Sequence, residues 1–562
     1  MQKRCPDILP LVLLAYSSPT PLFNGTTVIS SETGAQQGDP LGPLLFALAI
    51  DPIIRSMQSE LNIWFLDDGT LAGPVETVAR DIERLLPEFS NLGLQLNPKK
   101  CEAYTISPLL KPEDLNSIKT LLPGLRVTPL SSLTILNSPI NEPGIPDAVK
   151  KSSSVVKTIC DRVSHLDPHT DLFFLNHYTS APRLNYLLRT APMFSHPEEL
   201  LKVDTLVRET LSRVTNVEIN TNTWRQASLP TKFGGMGVRA ISLLSLPSFI
   251  SSLHKSLDLV REILPHIELQ DKPESLLRAE SMFIQWFPSA NVPDGDSVSQ
   301  QRAWDEAACK TEYDALLSSS NQVHTARLRA AAEPHTGAWL QALPSPNLGL
   351  HLDPETTRIA VALRLGAAIC EPHQCRCGKP VTSLGHHGLS CQKVAAAGRF
   401  PRHSHLNDIV KRSLSSAGIP SWLEPVGLSR SDGKRPDGLT AFPFSAGRSL
   451  CWDATCSDTF APSLINDSCM TPGVAADRAE ARKRTQYSCL TDRYCFEPLS
   501  VETSGVLGKS SSKFVAELGR RISSVTGEKR ETTWLRQRIS IAIMRGNASS
   551  ILSTGHEAFA PS

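Results

Sequence analysis

Apolar and polar positions follow one rhythm in the first quarter of the chain and another beyond it. From about residue 24 to 140, short apolar runs alternate with stretches of helical period. "GDPLGPLLFALAIDPIIRSM" predicts a helix opened by Gly38, Asp39 and Pro40, "NIWFLDDGTLAG" a tight hairpin, and "VETVARDIERLLPEFSNLGL" an amphipathic helix. That order predicts an α+β layer, with helices on one face of a small antiparallel sheet. Residues from about 150 to 285 read as mostly helical, with apolar spacings of three and four in "SLLSLPSFISSLHKSLDLVREIL". The polar, proline-containing stretch from Phe287 to Gln301 reads as a linker. After more helix come strands around Ser449–Ala454 and Tyr494–Glu502, then helices to about Arg545 and a Ser/Ala-rich tail.

Composition adds bounds. A chain of 562 residues holds two to four domains of ordinary size, and 40% hydrophobic with 20% charged residues is ordinary for globular protein. The net charge of +1 hides any local patch. The apolar run Ile8–Tyr16 is too short to span a bilayer and is broken by Pro10, so a soluble nuclear or cytoplasmic protein without membrane partners is expected. Thirteen mostly scattered cysteines fit reduced thiols better than a disulfide framework.

Asp67 and Asp68 sit together at the hairpin tip. Two adjacent carboxylates serve a turn. They also serve a cation, which offsets the cost of crowding like charges. The neighbouring text bears on the choice. A glycine-opened "QGDPLGPLLF" helix, the "FLDDG" hairpin, "LGLQLNPKKCEAYTI" with Lys99 and Lys100, and "LTILNSPI" follow in order; together they resemble the palm of reverse transcriptases from non-LTR retrotransposons. "RLNYLLRTAP" and Trp224–Arg239, "WRQASLPTKFGGMGVR", are similar to the thumb and post-thumb segments of those elements. The resemblance covers roughly residues 10–255. It implies that Asp67 and Asp68 hold Mg²⁺ or Mn²⁺ for nucleotide addition, and that Gln37, Gly38, Pro40 and Lys99 line the substrate. Such chemistry uses two cations about 4 Å apart, one lowering the pKa of the primer hydroxyl and one holding the triphosphate. A third carboxylate on an earlier strand is implied too. Before Gln36 the only aspartate is Asp7, in a stretch matching the helix after that strand, so an incomplete palm is expected. Asn137 stands where the family commonly has glycine.

A second cluster, "CEPHQCRCGKPVTSLGHHGLSC", spans Cys370–Cys391. Cys375, Cys377, His386 and Cys391 make a CCHC set suited to tetrahedral Zn²⁺, with Cys370 or His373 able to replace Cys375, and His387 able to replace His386. Gly378, Gly385 and Gly388 supply turns.

Downstream, Asp437 follows Pro436 in a turn and Asp453 lies inside the apolar run "SLCWDAT". A carboxylate in a β run needs a cation or a basic partner, and Arg448 or a helix arginine is the plain alternative to a metal. In "AADRAEARKRTQY", Lys483 and Tyr487 share a helix face. Two carboxylates and a lysine are the minimum for metal-assisted phosphodiester hydrolysis. The order knuckle, Pro-Asp, strand Asp, helix Lys and Tyr resembles the restriction-like endonuclease of one branch of non-LTR retrotransposons, a PD-(D/E)xK nuclease. The resemblance makes Asp437 and Asp453 the Mg²⁺ ligands, places Thr455 at the usual lysine position with Lys483 relocated to the helix beside Tyr487, and leaves Glu424 as a further ligand. Arg402–Arg545 holds 21 Lys and Arg against 15 Asp and Glu, a balance that suits a phosphate backbone. Arg520, Arg521, Lys529, Arg530, Arg536 and Arg538 are DNA contacts or a solvated helix face.

The combined expectation is an α+β multidomain chain. It comprises a partial palm (1–145), a helical thumb and post-thumb region (146–285), a helical linker (286–364), a CCHC knuckle (365–395), an α/β restriction-endonuclease-like domain (396–545) and a disordered tail (546–562). Its expected partners are DNA, an RNA template and deoxynucleoside triphosphates. The alternative is a nucleic-acid-binding protein whose two catalytic sites have decayed.

Overall fold

The computed structural model describes residues 2–36, 38–107, 111, 113–264, 272–391, 393, 396–428 and 433–555; Gln37 lies outside them. The chain forms two compact units, Met1–Ile145 and Pro146–Ser562, of mixed helix and sheet.

In the first unit, α1 (Gly42–Ile54) and α2 (Val75–Asn91) flank a hairpin of β1 (Leu61–Phe65) and β2 (Asp68–Ala72). α1 starts later than the sequence suggests. Asp39 stays ahead of it, accepting from the Leu41 amide at 2.8 Å, while the Gly42 amide closes a turn on the Asp39 carbonyl. α2 buries Ala79, Ile82, Leu85 and Phe89 on one stripe, and Trp64 of β1 meets Phe89 edge to face at 5.7 Å. Asp81 on α2 is buried. Burial alone would raise its pKa, but the Ser59 hydroxyl and the amides of Gln58 and Ser59 hold it below the usual carboxylate range. Those bonds pin the segment that leads into β1. The expected antiparallel layer is, among the described residues, a set of separate two-stranded pairings. β1 and β2 spend their inner face, Trp64 and Leu71, on the helices and their backbone bonds on each other.

The second unit begins with helices. α3 (Ile241–Ile263), α4 (Glu274–Trp286) and α5 (Gln301–Ser318) share a core of Phe249, Leu276, Phe283, Phe287 and Trp304. The stretch from Phe287 to Gln301 is therefore no loose linker. Phe287 is buried, and the Trp304 indole N–H reaches back to the Val298 carbonyl at 2.9 Å. Nearby, Arg327 and Arg364 are enclosed; burial lowers them to about 9 and about 10, with Arg364 adding to the effect on Arg327. They remain cationic at neutral pH. Arg364 donates to the carbonyls of Gly235, Thr231 and Ala331, and Arg327 to the Gln226 amide oxygen and the Arg364 carbonyl, so the "FGGMG" loop is tied to two helices.

The remainder of the unit is built on one mixed sheet of β3 (Ser421–Leu423), β4 (Gly438–Ser445), β5 (Arg448–Ser457) and β6 (Cys495–Glu502), in that order. β3, β4 and β5 pair antiparallel, and β5 pairs parallel with β6. A parallel pair needs a crossover, and α7 (Val474–Gln486) supplies it. α6 (Ala396–Ser416), α8 (Lys509–Thr526) and α9 (Glu531–Leu552) pack around the sheet. α9 continues to Leu552, so residues 546–552 are helix rather than tail. The physical reason is that the Cys/His region docks there: His373 reaches the Thr554 hydroxyl at 3.0 Å and Arg376 donates to the Gly555 carbonyl at 3.0 Å.

Two carboxylates lock the helices to the sheet. Glu502, at the end of β6, accepts from the Ala475 and Ala476 amides at the start of α7 and from the Thr459 hydroxyl. Glu480 on α7 accepts from the Ser510 and Ser511 amides at the start of α8. Gly438 faces Trp452 across the β4–β5 register, and a Cβ there would lie 2.0 Å from the indole. Gly438→Ala is therefore expected to destabilise the second unit by about 1–3 kcal/mol. The shift of its unfolding transition in urea measures this, and an unshifted transition contradicts the packing argument.

Candidate functional sites

At the hairpin, Phe65 pairs with Asp68 across a two-residue turn of Leu66 and Asp67. Leu66 is left-handed at φ 56°, a strained conformation for leucine. Trp64 lies across from Gly69, where a Cβ would come within 2.6 Å of the indole. Any larger residue after the Asp pair would displace the ring that anchors the hairpin to α2. Asp67 and Asp68 are both exposed, and neither bonds to a described side chain. Gly38 is left-handed at φ 96°, Pro40 precedes α1, and Lys99 is exposed on a short 3₁₀ turn, Pro98–Lys100. "LTILNSPI" does form a hairpin, Thr134–Ile135 with Ser138–Pro139. Its two turn residues, Leu136 and Asn137, are both left-handed, as a two-residue type I′ turn requires, and asparagine meets that need without glycine.

The Cys/His cluster assembles from a small hairpin and a one-turn helix, His387–Ser390. Cys375, Cys377, His387 and Cys391 place one donor atom each within 4.8 Å of one another. The Cys375 and Cys391 sulfurs are 3.8 Å apart, and the Cys377 sulfur is 3.2 Å from His387 Nε2. A tetrahedron with zinc–sulfur arms of about 2.3 Å has edges of about 3.8 Å, so this Cys₃His donor set fits a zinc-sized ion. The Cys377 thiol is drawn below its ordinary pKa by the Lys379 amide, which favours the thiolate that metals bind. The histidine is the neighbour of the one the spacing favoured. His386 is buried flat against Phe460, ring centroids 4.1 Å apart, and burial lowers it to about 4. It is a packing residue. Cys370 and His373 stay outside the set, Cys370 beside the Thr382 carbonyl and His373 against Thr554.

On the sheet, the register that sets Gly438 opposite Trp452 brings Asp437 and Asp453 to neighbouring strands. The Asp437 amide donates to the Trp452 carbonyl, and the Ala454 amide donates to Asp437 Oδ2 at 2.7 Å. Asp453, 4% exposed at its side chain, pairs with Lys483 Nζ of α7 at 2.5 Å. Its pKa is raised by burial and by Asp437, against the pull of Lys483 and Tyr487. The Tyr487 hydroxyl also donates to the Arg435 carbonyl. Arg448 is engaged elsewhere, on the Thr491 carbonyl, so the partner of Asp453 is the helix lysine. Thr455 lies two pairs further along the strand, opposite Ser500.

One member was missed. His403 of α6 sits with Nε2 2.9 Å from Asp437 Oδ2, and that bond raises its pKa. In the sequence it is one of two histidines in a helix, and only the packing of α6 on the sheet distinguishes it. Glu424 does not join the carboxylates. Its side chain pairs with Arg435, while its amide supports the Asp437 carbonyl at 2.8 Å. Of the six C-terminal cations named above, Arg520 and Arg521 pair with Glu517, and Arg530 with Glu528.

Residues 5–143 match the family model of reverse transcriptase (RNA-dependent DNA polymerase). The chain is also similar to the retrotransposable element SLACS 132 kDa protein of Trypanosoma brucei gambiense, 21% identical over 419 residues. That alignment covers 73% of this chain and 30% of the relative, so the chain spans less than a third of that protein's length. The likeness is longer than the first unit and runs well into the second. Residues 5–143 are thus similar to reverse transcriptases, within a chain similar to a retrotransposon protein. Members of such families work on nucleic acid templates with divalent metal. Among the described residues, no helix is long and apolar enough to cross a membrane.

The two histidines give a direct test of the Cys/His centre. The purified chain is expected to carry one zinc, lost in His387→Ala and in Cys391→Ser but retained in His386→Ala. Metal analysis after dialysis reads the outcome, and zinc loss in His386→Ala alone reverses the assignment.

Proposed function

We propose that this chain is a non-LTR retrotransposon protein whose C-terminal sheet is a metal-dependent DNA-nicking endonuclease, joined by a zinc knuckle to a palm and thumb. The observation that carries the reading is the convergence of Asp437, Asp453, Lys483 and His403 from two strands and two helices. Asp437 and Asp453 offer hard oxygen donors on adjacent strands, suited to Mg²⁺. Bound there, the ion would activate water and polarise the scissile phosphate. The protein's own groups do the rest. Lys483 orients water and offsets charge on the phosphorane, its ammonium buried enough for that charge to count. His403 holds the Asp437 carboxylate in place, and Tyr487 buttresses the pair from beneath. Both His403 and Tyr487 are positioning residues.

The palm reading rests on Asp67 and Asp68, presented outward on a strained, tightly anchored turn. Reverse transcription would extend the nicked DNA from an RNA template. With two hairpin carboxylates matched and a third unassigned, this chain is expected to give little primer extension on a homopolymer template with Mg²⁺ or Mn²⁺. Robust synthesis contradicts that.

The nuclease is tested on supercoiled plasmid with Mg²⁺. Asp437→Ala, Asp453→Ala and Lys483→Ala are each expected to slow nicking about a hundredfold or more, and His403→Ala roughly ten- to hundredfold. DNA binding without nicking by the unaltered chain favours the decayed, binding-only reading.

A further inference from the structure

Away from both carboxylate sites, the second unit has a cleft of about 380 Å³ among Thr231, Lys232, Glu333, His335, Gln341, Arg536 and their neighbours. None of Asp437, Asp453, Lys483 or His403 lines it. Its walls come from the loop before α3, the segment after the Gln322–Ala332 helix, and α9. The size is near the lower end for small-ligand sites.

Arg536 is the cation that distinguishes this cleft. Arg536 Nε is enclosed and has no hydrogen-bond partner among the described residues. Among the described residues no carboxylate pairs with its guanidinium, in contrast with Arg520, Arg521 and Arg530. An arginine does not shed its proton to escape burial, so an unpaired one keeps a desolvated positive charge. Lys232 adds a second cation from the opposite wall, held by Glu306 and lying 5.1 Å from the Phe233 ring. His335 adds an imidazole from a left-handed backbone at φ 70°. Burial and Arg536 both lower its pKa. Among the residues lining the cleft Glu333 is the one acidic group, and burial raises its pKa. A planar fork beside an ammonium and an imidazole matches the oxygens of a phosphate group.

We propose that this cleft binds a phosphate group through Arg536, with Lys232 and His335 supporting it, either on a nucleic acid strand or on a free nucleotide. The proposal is independent of whether the nuclease or the palm is active.

Titration calorimetry on the full chain tests it, with inorganic phosphate, thymidine 5′-monophosphate and a twelve-nucleotide single-stranded DNA as separate probes. Arg536→Gln is expected to weaken inorganic phosphate binding roughly ten- to hundredfold, the value of losing charge-assisted hydrogen bonds. Lys513→Gln, at an exposed position of α8 outside the cleft lining, is expected to leave it unchanged, and Arg536→Lys to restore it in part. Far-ultraviolet dichroism and the unfolding transition show whether each variant is folded. A parallel loss of affinity for the oligonucleotide identifies a strand phosphate as the occupant. A loss confined to phosphate and the mononucleotide identifies a free nucleotide. Undetectable phosphate binding by the unaltered chain, equal binding by folded Arg536→Gln, or equal losses in Arg536→Gln and Lys513→Gln overturns the proposal.

Discussion

Buried carboxylates govern the second unit, because each must find compensation that water no longer provides. An uncompensated buried charge costs several kcal/mol, so every such group dictates what lies next to it. Glu502 and Glu480 are compensated by backbone amides at the starts of α7 and α8, so Glu502 fixes where α7 meets the sheet and Glu480 where α8 meets α7. Asp453 is compensated by the Lys483 ammonium, and it also feels Asp437. Similar chemistry yields two outcomes. Amide compensation is permanent and builds scaffold. A lysine and a second carboxylate instead make the polar pair on which the proposed nuclease site rests.

The first unit handles its carboxylates differently. Asp67 and Asp68 stay in water, and what is enforced is their placement. The turn is strained at Leu66, and the Trp64 ring that secures it to α2 leaves room only for glycine at position 69. Strain of this kind persists only where surrounding packing over-determines the backbone. A pair of exposed acids on a rigid turn is suited to meeting a ligand from outside, whereas Asp437 and Asp453 are suited to holding one within a fold.

How far the sequence reveals these arrangements depends on whether a signal is local. The hairpin, α2, and the placement of Asp453 inside a strand are legible because period and turn chemistry act within a few residues. Asn137 proved compatible with its turn for the same local reason. His403 was invisible, since its role arises from α6 packing on a sheet formed much later in the chain. Glu480 looked like an ordinary helix glutamate, and only the next helix shows its purpose. Phe287 and Trp304 marked a polar stretch as core, a tertiary fact that local polarity concealed. His386 and His387 are adjacent, so spacing rules cannot separate them. The one-turn helix does, aiming one ring at the thiols and the other at Phe460.

That last division of labour links the knuckle to the proposed nuclease. His386 stacks on Phe460, in the segment that follows β5, and His373 and Arg376 grip the residues after α9. Ser390, inside the one-turn helix, bonds Asp458 just past the strand that carries Asp453. A metal holding Cys375, Cys377, His387 and Cys391 together would thus also fix the ring of His386 and the hydroxyl of Ser390, which have no metal-binding role of their own. The stability of a small metal centre is largely the stability of its bound state. By these contacts part of that stability would reach the end of β5, the strand that carries Asp453, so the Cys/His region braces the sheet as well as its own fold.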